Sequence, residues 1–328
     1  MGFSSREVLG AHVDMALSRG WGLLQRMDRW HEERRARIRR EVVGAVRDAR
    51  FSRGLTCPRC GASEVQRWGW SAGRRQRYRC VACRRTFSDF TCTPAAYLKR
   101  VELLPDYGVC LQECLSIRAA AARLGIHPST AFRWRHRLLG AMSRTQDATL
   151  DGWIEIGSDW FAHSRKGERG ITDRLPRRRG ARCRLRFGGR RAYVIMACDR
   201  LGHVLTGLAP GQRVDADAIE LTLAARVGEA PALTSPEGVY GQSARLARRK
   251  GWKFRQSMGA TLDTLRWPAH TRTVVGYRVR LRRWLPRFHG VATKYLTNYL
   301  IWHLLLDSAY RTALQPTLMR WPLGAGFG

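Results

Sequence analysis

Acidic residues and lysine are scarce in this chain. Asp and Glu total 26 against 59 Lys and Arg, and only Lys99, Lys166, Lys250, Lys253 and Lys294 are lysines, which leaves 54 arginines and a formal net charge of +33. A GC-rich coding genome explains part of the arginine-over-lysine skew, but codon bias does not explain the excess over acids. Nucleic acid is therefore the leading partner class and an anionic membrane surface a distant second. Long apolar runs are also missing. No stretch reaches about 18 apolar residues, so no membrane span is expected, and Tyr299–Leu306 is too short for anything but a buried helix. The N-terminus has no apolar h-region, which predicts no secretory leader and a cytoplasmic, nucleoid-associated location. There is no Gly-rich phosphate loop and no G-x-S-x-G elbow. His163, His203 and His289 stand alone without metal-ligand spacing, and Cys92, Cys110, Cys114, Cys183 and Cys198 form no paired pattern. A disulfide scaffold is thereby disfavoured, and a reducing compartment fits better.

Against these absences stand four cysteines in two tight pairs. Cys57-Pro-Arg-Cys60 and Cys80-Val-Ala-Cys83 are separated by residues 61–79. Two such knuckles can close four thiolates around one metal, and the spacing reads as a structural Zn²⁺ site. Trp68, Trp70 and Tyr78 alternate with polar residues as strands do, and Arg74, Arg75, Arg77 and Arg79 crowd the hairpin between the knuckles. A ribbon this small cannot bury enough apolar surface to fold alone. Metal supplies the missing stability, on the order of 10 kcal/mol. In a basic chain Arg74, Arg75 and Arg77 are candidate DNA contacts; a zinc clip touching no nucleic acid is the plainer alternative.

The next block reads as helix-turn-helix. Ser116–Leu124 is one helix, Gly125 allows the turn, and Pro128 suits the first position of a second helix running to Leu138. Ala131, Trp134 and Leu138 share a face that packs on Ala120, Ala121 and Leu124. Ser129, Thr130, Arg133 and Arg137 are left outward, where a recognition helix reads a major groove. Upstream, 28–50 is a helix dense in Arg and Glu, with Ile38, Val42, Val43 and Val46 at helical spacing, expected to be solvated or to face DNA.

From residue 152 the pattern changes to strand (152–160), a basic glycine-rich loop (165–191), a hairpin (192–208) turning at Asp199–Gly202, and a helix (215–227). A strand (232–235), helix (240–250), strand (252–258) and two helices (272–288, 293–310) complete it. This order predicts a mixed α/β domain on a central sheet. Asp199 is expected to be structural, as Asp often is in turns. Trp153, Trp252, Trp284 and Trp302 fall on apolar faces and are expected in the core.

These residues carry a family resemblance. Arg75–Cys80 with Arg85–Ser88, Ala121–Gly125 with Ser129–His136, and Phe288–Leu296 with Asn298–Leu300 together resemble bacterial insertion-sequence transposases, collinearly from about 55 to 310. The resemblance implies a multi-domain α/β chain in which a zinc ribbon and helix-turn-helix precede an RNase-H-like mixed-sheet core. Its expected boundaries are 1–54 helical, 55–92 ribbon, 93–145 helix-turn-helix, 150–312 core with the insertion 165–191, and a tail 313–328. It also implies double-stranded DNA as partner, with self-association expected and RNA left open.

The family's core holds Mg²⁺ on three ligands. The first lies in a V-E-x-D-E strand, where this chain reads Ile154-Glu-Ile-Gly-Ser158 and Gly157 takes the Asp position. The second follows a later strand, where Pro236 takes the position, and the third lies on a helix, where Val275 does. Two-metal strand cleavage needs carboxylate-type oxygens at such positions. Asp159 and Glu237 are the nearby substitutes, and 272–288 carries no Asp, Glu or Asn but six arginines. The leading expectation is therefore a transposase-derived DNA-binding protein without catalysis, acting as a regulator or architectural factor. The runner-up is an active transposase with a rearranged metal site. An RNA-binding or assembly module is a third alternative.

Overall fold

The computed structural model describes residues 29–52, 54–71, 75–142, 149–172, 190–223, 226–229, 231–257 and 270–311. Those up to Cys114 form one compact unit and those from Leu115 onward a second. Among the described residues no helix is long and apolar enough to cross a membrane.

The first unit is built on a helix, α1 (29–50), and a three-stranded antiparallel sheet. Its strands are β1 (Val65–Trp70), β2 (Gln76–Cys80) and β3 (Thr86–Ser88), in that order. Helix α1 is exposed along most of its first half, in keeping with a solvated helix, and its second half also packs inward. Val42 and Val46, four residues apart on one helix face, are both buried. Part of the polar side is committed as well: Arg39 Nη2 donates to Glu102 at 3.0 Å, Arg47 meets Asp89 at 3.3 Å, and Arg50 donates to the Asp89 and Thr91 carbonyls. Glu102 and Asp89 are buried carboxylates, and a buried charge requires a partner. The apolar centre of the ribbon is Cys57, Tyr78, Cys80 and Phe87, with Tyr78 stacked on Phe87 at 5.4 Å. A short helix, α2 (Leu104–Gln112), follows.

The second unit opens with α3 (Ile117–Leu124) and α4 (Pro128–Met142). Ser116 caps α3, its Oγ accepting from Ala119 N at 3.2 Å, and Gly125 ends it at φ +58°, the left-handed conformation glycine adopts freely. Ala120, Ala121, Leu124, Ala131, Trp134 and Leu138 are all buried, as the spacing predicts. Arg135 turns inward, donating to Leu115 O at 2.7 Å beneath the Trp302 ring.

A five-stranded sheet follows. Its strands are β4 (Trp153–Ala162), β5 (Arg191–Cys198), β6 (Val204–Leu208), β7 (Ala232–Ser235) and β8 (Lys253–Gln256), in the spatial order β6-β5-β4-β7-β8. The first three pair antiparallel; β7 runs parallel to β4 and β8 parallel to β7. Strand alternation divides β4 between two layers. Ile154 and Ile156 enter a core with α5 (Ala216–Leu223) and α6 (Tyr240–Lys250), while Glu155, Gly157 and Asp159 face the opposite side, toward α7 (Arg272–Trp284). The last helix, α8 (Leu296–Arg311), completes this architecture of helices on a mixed sheet. Helix α5 is shorter than the expected 215–227, because Asp215 caps it from outside and Val227 instead bridges Leu150. Strand β8 likewise covers only part of 252–258, and α7 gives way to a 3-10 turn at Leu285–Phe288.

Helices α4 and α8 meet through residues far apart in sequence. His136 stacks on Tyr295 at 4.0 Å, and Asn298 Nδ2 donates to His136 Nδ1 at 3.1 Å. Burial, then Arg135, hold His136 down to about 4. Burial likewise pushes His303, on α8, down to about 4. Both rings are therefore neutral packing groups at pH 7.

Candidate functional sites: the cysteine cluster and the acidic face of the sheet

The sulfurs of Cys57, Cys60, Cys80 and Cys83 all lie within 4.8 Å of one another, with Cys57–Cys83 at 3.7 Å and Cys60–Cys80 at 3.5 Å. Tetrahedral zinc with Zn–S near 2.3 Å requires sulfur–sulfur edges of about 3.8 Å. A disulfide would need ~2.05 Å, so this is a metal cage. Tight turns form each knuckle: Gly61 N donates to Cys57 O at 2.9 Å with φ +77°, and Arg84 takes φ +57° beside Cys83. Burial pushes the Cys57 thiol up, but the Arg59 and Cys60 amides outweigh it and bring it to about 7. At Cys60 the Ala62 amide pulls down, yet the neighbouring sulfurs, Cys80 first, drive it up to about 11. Four thiolates this close need a cation to be charged together, and soft sulfur donors in a tetrahedron select Zn²⁺.

Around the ribbon the arginines divide. Arg74 lies outside the described residues. Arg75 is committed internally, with Nη2 donating to Leu98 O at 2.7 Å and the guanidinium 4.8 Å over Phe90; burial lowers its pKa. That arrangement makes it an anchor for the 90–98 segment. Arg77 donates to Thr86 Oγ1 at 3.3 Å from a half-buried position, and Arg79 lies 4.5 Å over Trp68.

On α4, Ser129, Arg133 and Arg137 recur at i, i+4 and i+8, and all three are exposed; Thr130 is half-buried. Arg133 Nε donates to Ser129 O at 3.3 Å. Neither Arg133 nor Arg137 has an acidic partner among the described residues. His127, which no motif or spacing marks, fixes the N-terminus of α4: its Nδ1 accepts from Ser129 N at 3.2 Å and lies 2.8 Å from Ser129 Oγ.

The third constellation lines the α7-facing side of β4. Glu155 is fully buried. Its Oε2 accepts from Val274 N at 2.8 Å, while Oε1 is held by Arg200 and lies 3.2 Å from His270 Nδ1. Burial, then Arg200, hold His270 below the usual imidazole range, so its neutral Nδ1 accepts from Arg200 at 2.7 Å. Two residues on, a Cβ at Gly157 would sit 2.8 Å from Val274 Cγ2, so Val274 occupies the space a ligand side chain needs. Two further on, both oxygens of Asp159 are taken by Nε and Nη2 of Arg282, and its Oδ1 also accepts from Trp160 N at 2.8 Å. The Asp159 hydrogen bond raises the Arg282 pKa. The parallel register pairs Glu155 with Thr234, which carries Gly157 level with Pro236 just past β7. Val275 is half-buried on α7, one residue beyond the valine that covers Gly157. Glu237 opens a 3-10 turn, and its side chain lies outside the described residues.

Comparison with known proteins follows the same lines. Residues 52–84 match the family model of the InsA N-terminal domain, a zinc ribbon. Over 266 residues, 80% of this chain and 88% of the relative, the sequence is 27% identical to an uncharacterized protein in transposable element ISH50 of Halobacterium salinarum. The chain is similar to an insertion-sequence transposase. Solved structures with weak overall similarity include the Mos1 strand transfer complex, at 12% identity and TM-score 0.23 over 67% of this chain and 79% of that one. A pre-cleavage Mos1 transpososome stands at 12% identity and TM-score 0.20, over 67% and 80%.

Within this transposase-like chain the structure gathers the four cysteines into one cluster. It gives Asp159 an arginine partner that spacing could not show, since Arg282 lies 123 residues away. It also exposes Asp199 as a turn-builder: fully buried, it accepts from His203 N at 2.8 Å and pairs with His203 Nδ1 at 2.7 Å. His203, expected to stand alone, is therefore Asp199's partner.

Proposed function

We propose that this protein binds duplex DNA through α4 and the zinc ribbon and does not cut it, acting as a regulator or architectural factor derived from a transposase. The observation that carries the reading is the state of the acidic strand face. Both of its carboxylates are neutralised by arginines, and the glycine between them is sealed by Val274. Two-ion chemistry needs open carboxylate oxygens. The oxygens of Glu155 are taken by Arg200 and the Val274 amide and those of Asp159 by Arg282, and Gly157, Pro236 and Val275 offer no side-chain donor. This donor set does not fit Mg²⁺. The same fact weighs against the rearranged site built on Asp159 and Glu237, since Asp159 would first have to lose Arg282.

The DNA reading rests on the exposed Ser129–Arg133–Arg137 row, on unpaired arginine in a +33 chain, and on a ribbon whose four sulfurs fit zinc. Duplex affinity should fall steeply with salt, because each arginine–phosphate contact releases a counterion. Replacing Arg133 and Arg137 together with Ala should weaken duplex binding and flatten the slope of log K against log salt by about 2. Anisotropy titrations at several salt concentrations measure both. An unchanged slope removes α4 from the interface. Strand cleavage of element-end duplexes in Mg²⁺ or Mn²⁺, abolished by Asp159→Asn, would overturn the non-cutting reading. Competition with RNA and sedimentation test the remaining partner expectations, RNA and a second copy.

A further inference from the structure

The two ribbon tryptophans differ in a way their spacing hides. Trp68 and Trp70 are two apart and would share one face of a regular strand. The β1–β2 register runs Gln66↔Arg79 and Arg67↔Tyr78 and then jumps to Trp70↔Gln76, so one extra residue is inserted. Gly69, at φ +68°, takes up the bulge. Trp68 thus stays on the Arg79 face, under that guanidinium, while Trp70 is thrown to the Gln76 face, where α1 lies. The bulge is pinned, because Gln76 Nε2 donates to both Gly69 O at 3.0 Å and Arg77 O at 2.9 Å. Gln76 is itself buried, yet Trp70 is 67% exposed. Holding a large indole in water on a fixed backbone has no packing rationale.

Trp70 forms one wall of a groove of about 960 Å³, and the opposite wall is α1 with Arg35, Arg39, Arg40 and Arg47. Arg39 and Arg47 are matched to Glu102 and Asp89. Arg35 and Arg40 are exposed and have no acidic partner among the described residues, with Glu32 the remaining acid in the wall. A groove with an exposed indole on one side and unneutralised guanidinium groups on the other matches a nucleotide strand: a base face on the ring, phosphates on the arginines. A duplex covers its base faces by stacking, so the fitting occupant is an unpaired stretch. We propose that this groove binds single-stranded DNA, with Trp70 stacking on one base and Arg35 and Arg40 holding the flanking phosphates. The choice of DNA over RNA rests on the DNA-binding reading above.

The test uses the full-length zinc-loaded protein with three labelled probes: a 15-residue oligo-dT, an unrelated duplex and a 15-residue oligo-U. Trp70→Ala should weaken oligo-dT binding roughly 5- to 150-fold, the range for one stacked base. Trp70→Phe should recover part of the loss. Zinc content should not change in either variant, and duplex affinity should fall much less than oligo-dT affinity. Arg35→Ala with Arg40→Ala should weaken oligo-dT binding and lower its salt slope. Unchanged oligo-dT affinity in Trp70→Ala overturns the proposal, as does an equal loss on the duplex. Tighter, Trp70-dependent binding of oligo-U overturns the assignment to DNA. Wild-type protein that binds the duplex but not oligo-dT sinks this inference alone, whereas binding to neither DNA probe sinks the DNA-binding reading with it.

Discussion

Gly157 shows how one residue can decide what a strand face does. Its neighbours Glu155 and Asp159 retain carboxylates on the same side of β4, but the missing side chain lets α7 approach until Val274 stands where a ligand would reach. Restoring the acid is therefore not a free change. In Gly157→Asp the new Cβ meets Val274 Cγ2 at 2.8 Å, and overpacking of this kind costs about 1–3 kcal/mol. A third carboxylate beside buried Glu155 adds repulsion and desolvation in the same direction. Val274→Ala alone leaves a small void and also costs stability. Together the two changes should relieve each other: the double variant should be more stable than the summed single losses predict, by about 0.5–3 kcal/mol. Urea unfolding of the four proteins measures the coupling. Strict additivity would mean that Val274 is not what fills the glycine's place.

At the scale of elements, what was legible in the sequence follows from which contacts are local. The knuckle spacing, the Gly125 turn and the Pro128 start are written within a few residues of one another, and each stands as expected. Strand β4 was legible too, the expected 152–160 overlapping Trp153–Ala162. Partners distant in the chain were not. Nothing in 28–50 announces that Arg39 and Arg47 neutralise Glu102 and Asp89, and nothing near His136 announces Tyr295 and Asn298. The Gly69 bulge was hidden for another reason: strand alternation assumes a regular ladder, and one inserted residue reverses it. The ribbon also depends on something the chain does not encode, since among the described residues its core cluster is four buried side chains, Cys57, Tyr78, Cys80 and Phe87. Stripping zinc with a chelator, or replacing Cys57 with Ser, should melt β1–β3. The expected readout is loss of amide-exchange protection in 57–88 with protection retained in β4–β8. A metal worth on the order of 10 kcal/mol to such a site leaves little stability when it is removed. Protection of 57–88 that survives chelation would show that the thiols need no ion.

For the whole molecule the governing quantity is charge that no internal partner can absorb. If each of the 26 acids paired with one base, 33 cationic side chains would still lack a counter-charge. Added salt then acts in two opposing ways. It weakens the exposed internal pairs, such as Arg249–Asp217 and Lys250–Glu220, which water and ions screen readily. It also screens the mutual repulsion of the surplus, which destabilises any compact state of high net charge. The pairs that tie Glu155, Asp159, Glu102 and Asp89 have buried carboxylates, which salt screens much less. Repulsion is therefore the larger salt-sensitive term, and Tm should rise as NaCl increases from about 50 to 500 mM, where the Debye length shortens to a few ångströms. The same salt should weaken DNA binding, so stability and affinity should move in opposite directions along one titration. At low salt a duplex fragment should raise Tm by supplying the missing anions, and the increment should shrink as salt takes over that role. Thermal scans across the salt series, with and without duplex, measure both. A Tm that falls with salt in the free protein would mean that internal ion pairs, and not the unpaired arginines, set its electrostatic balance.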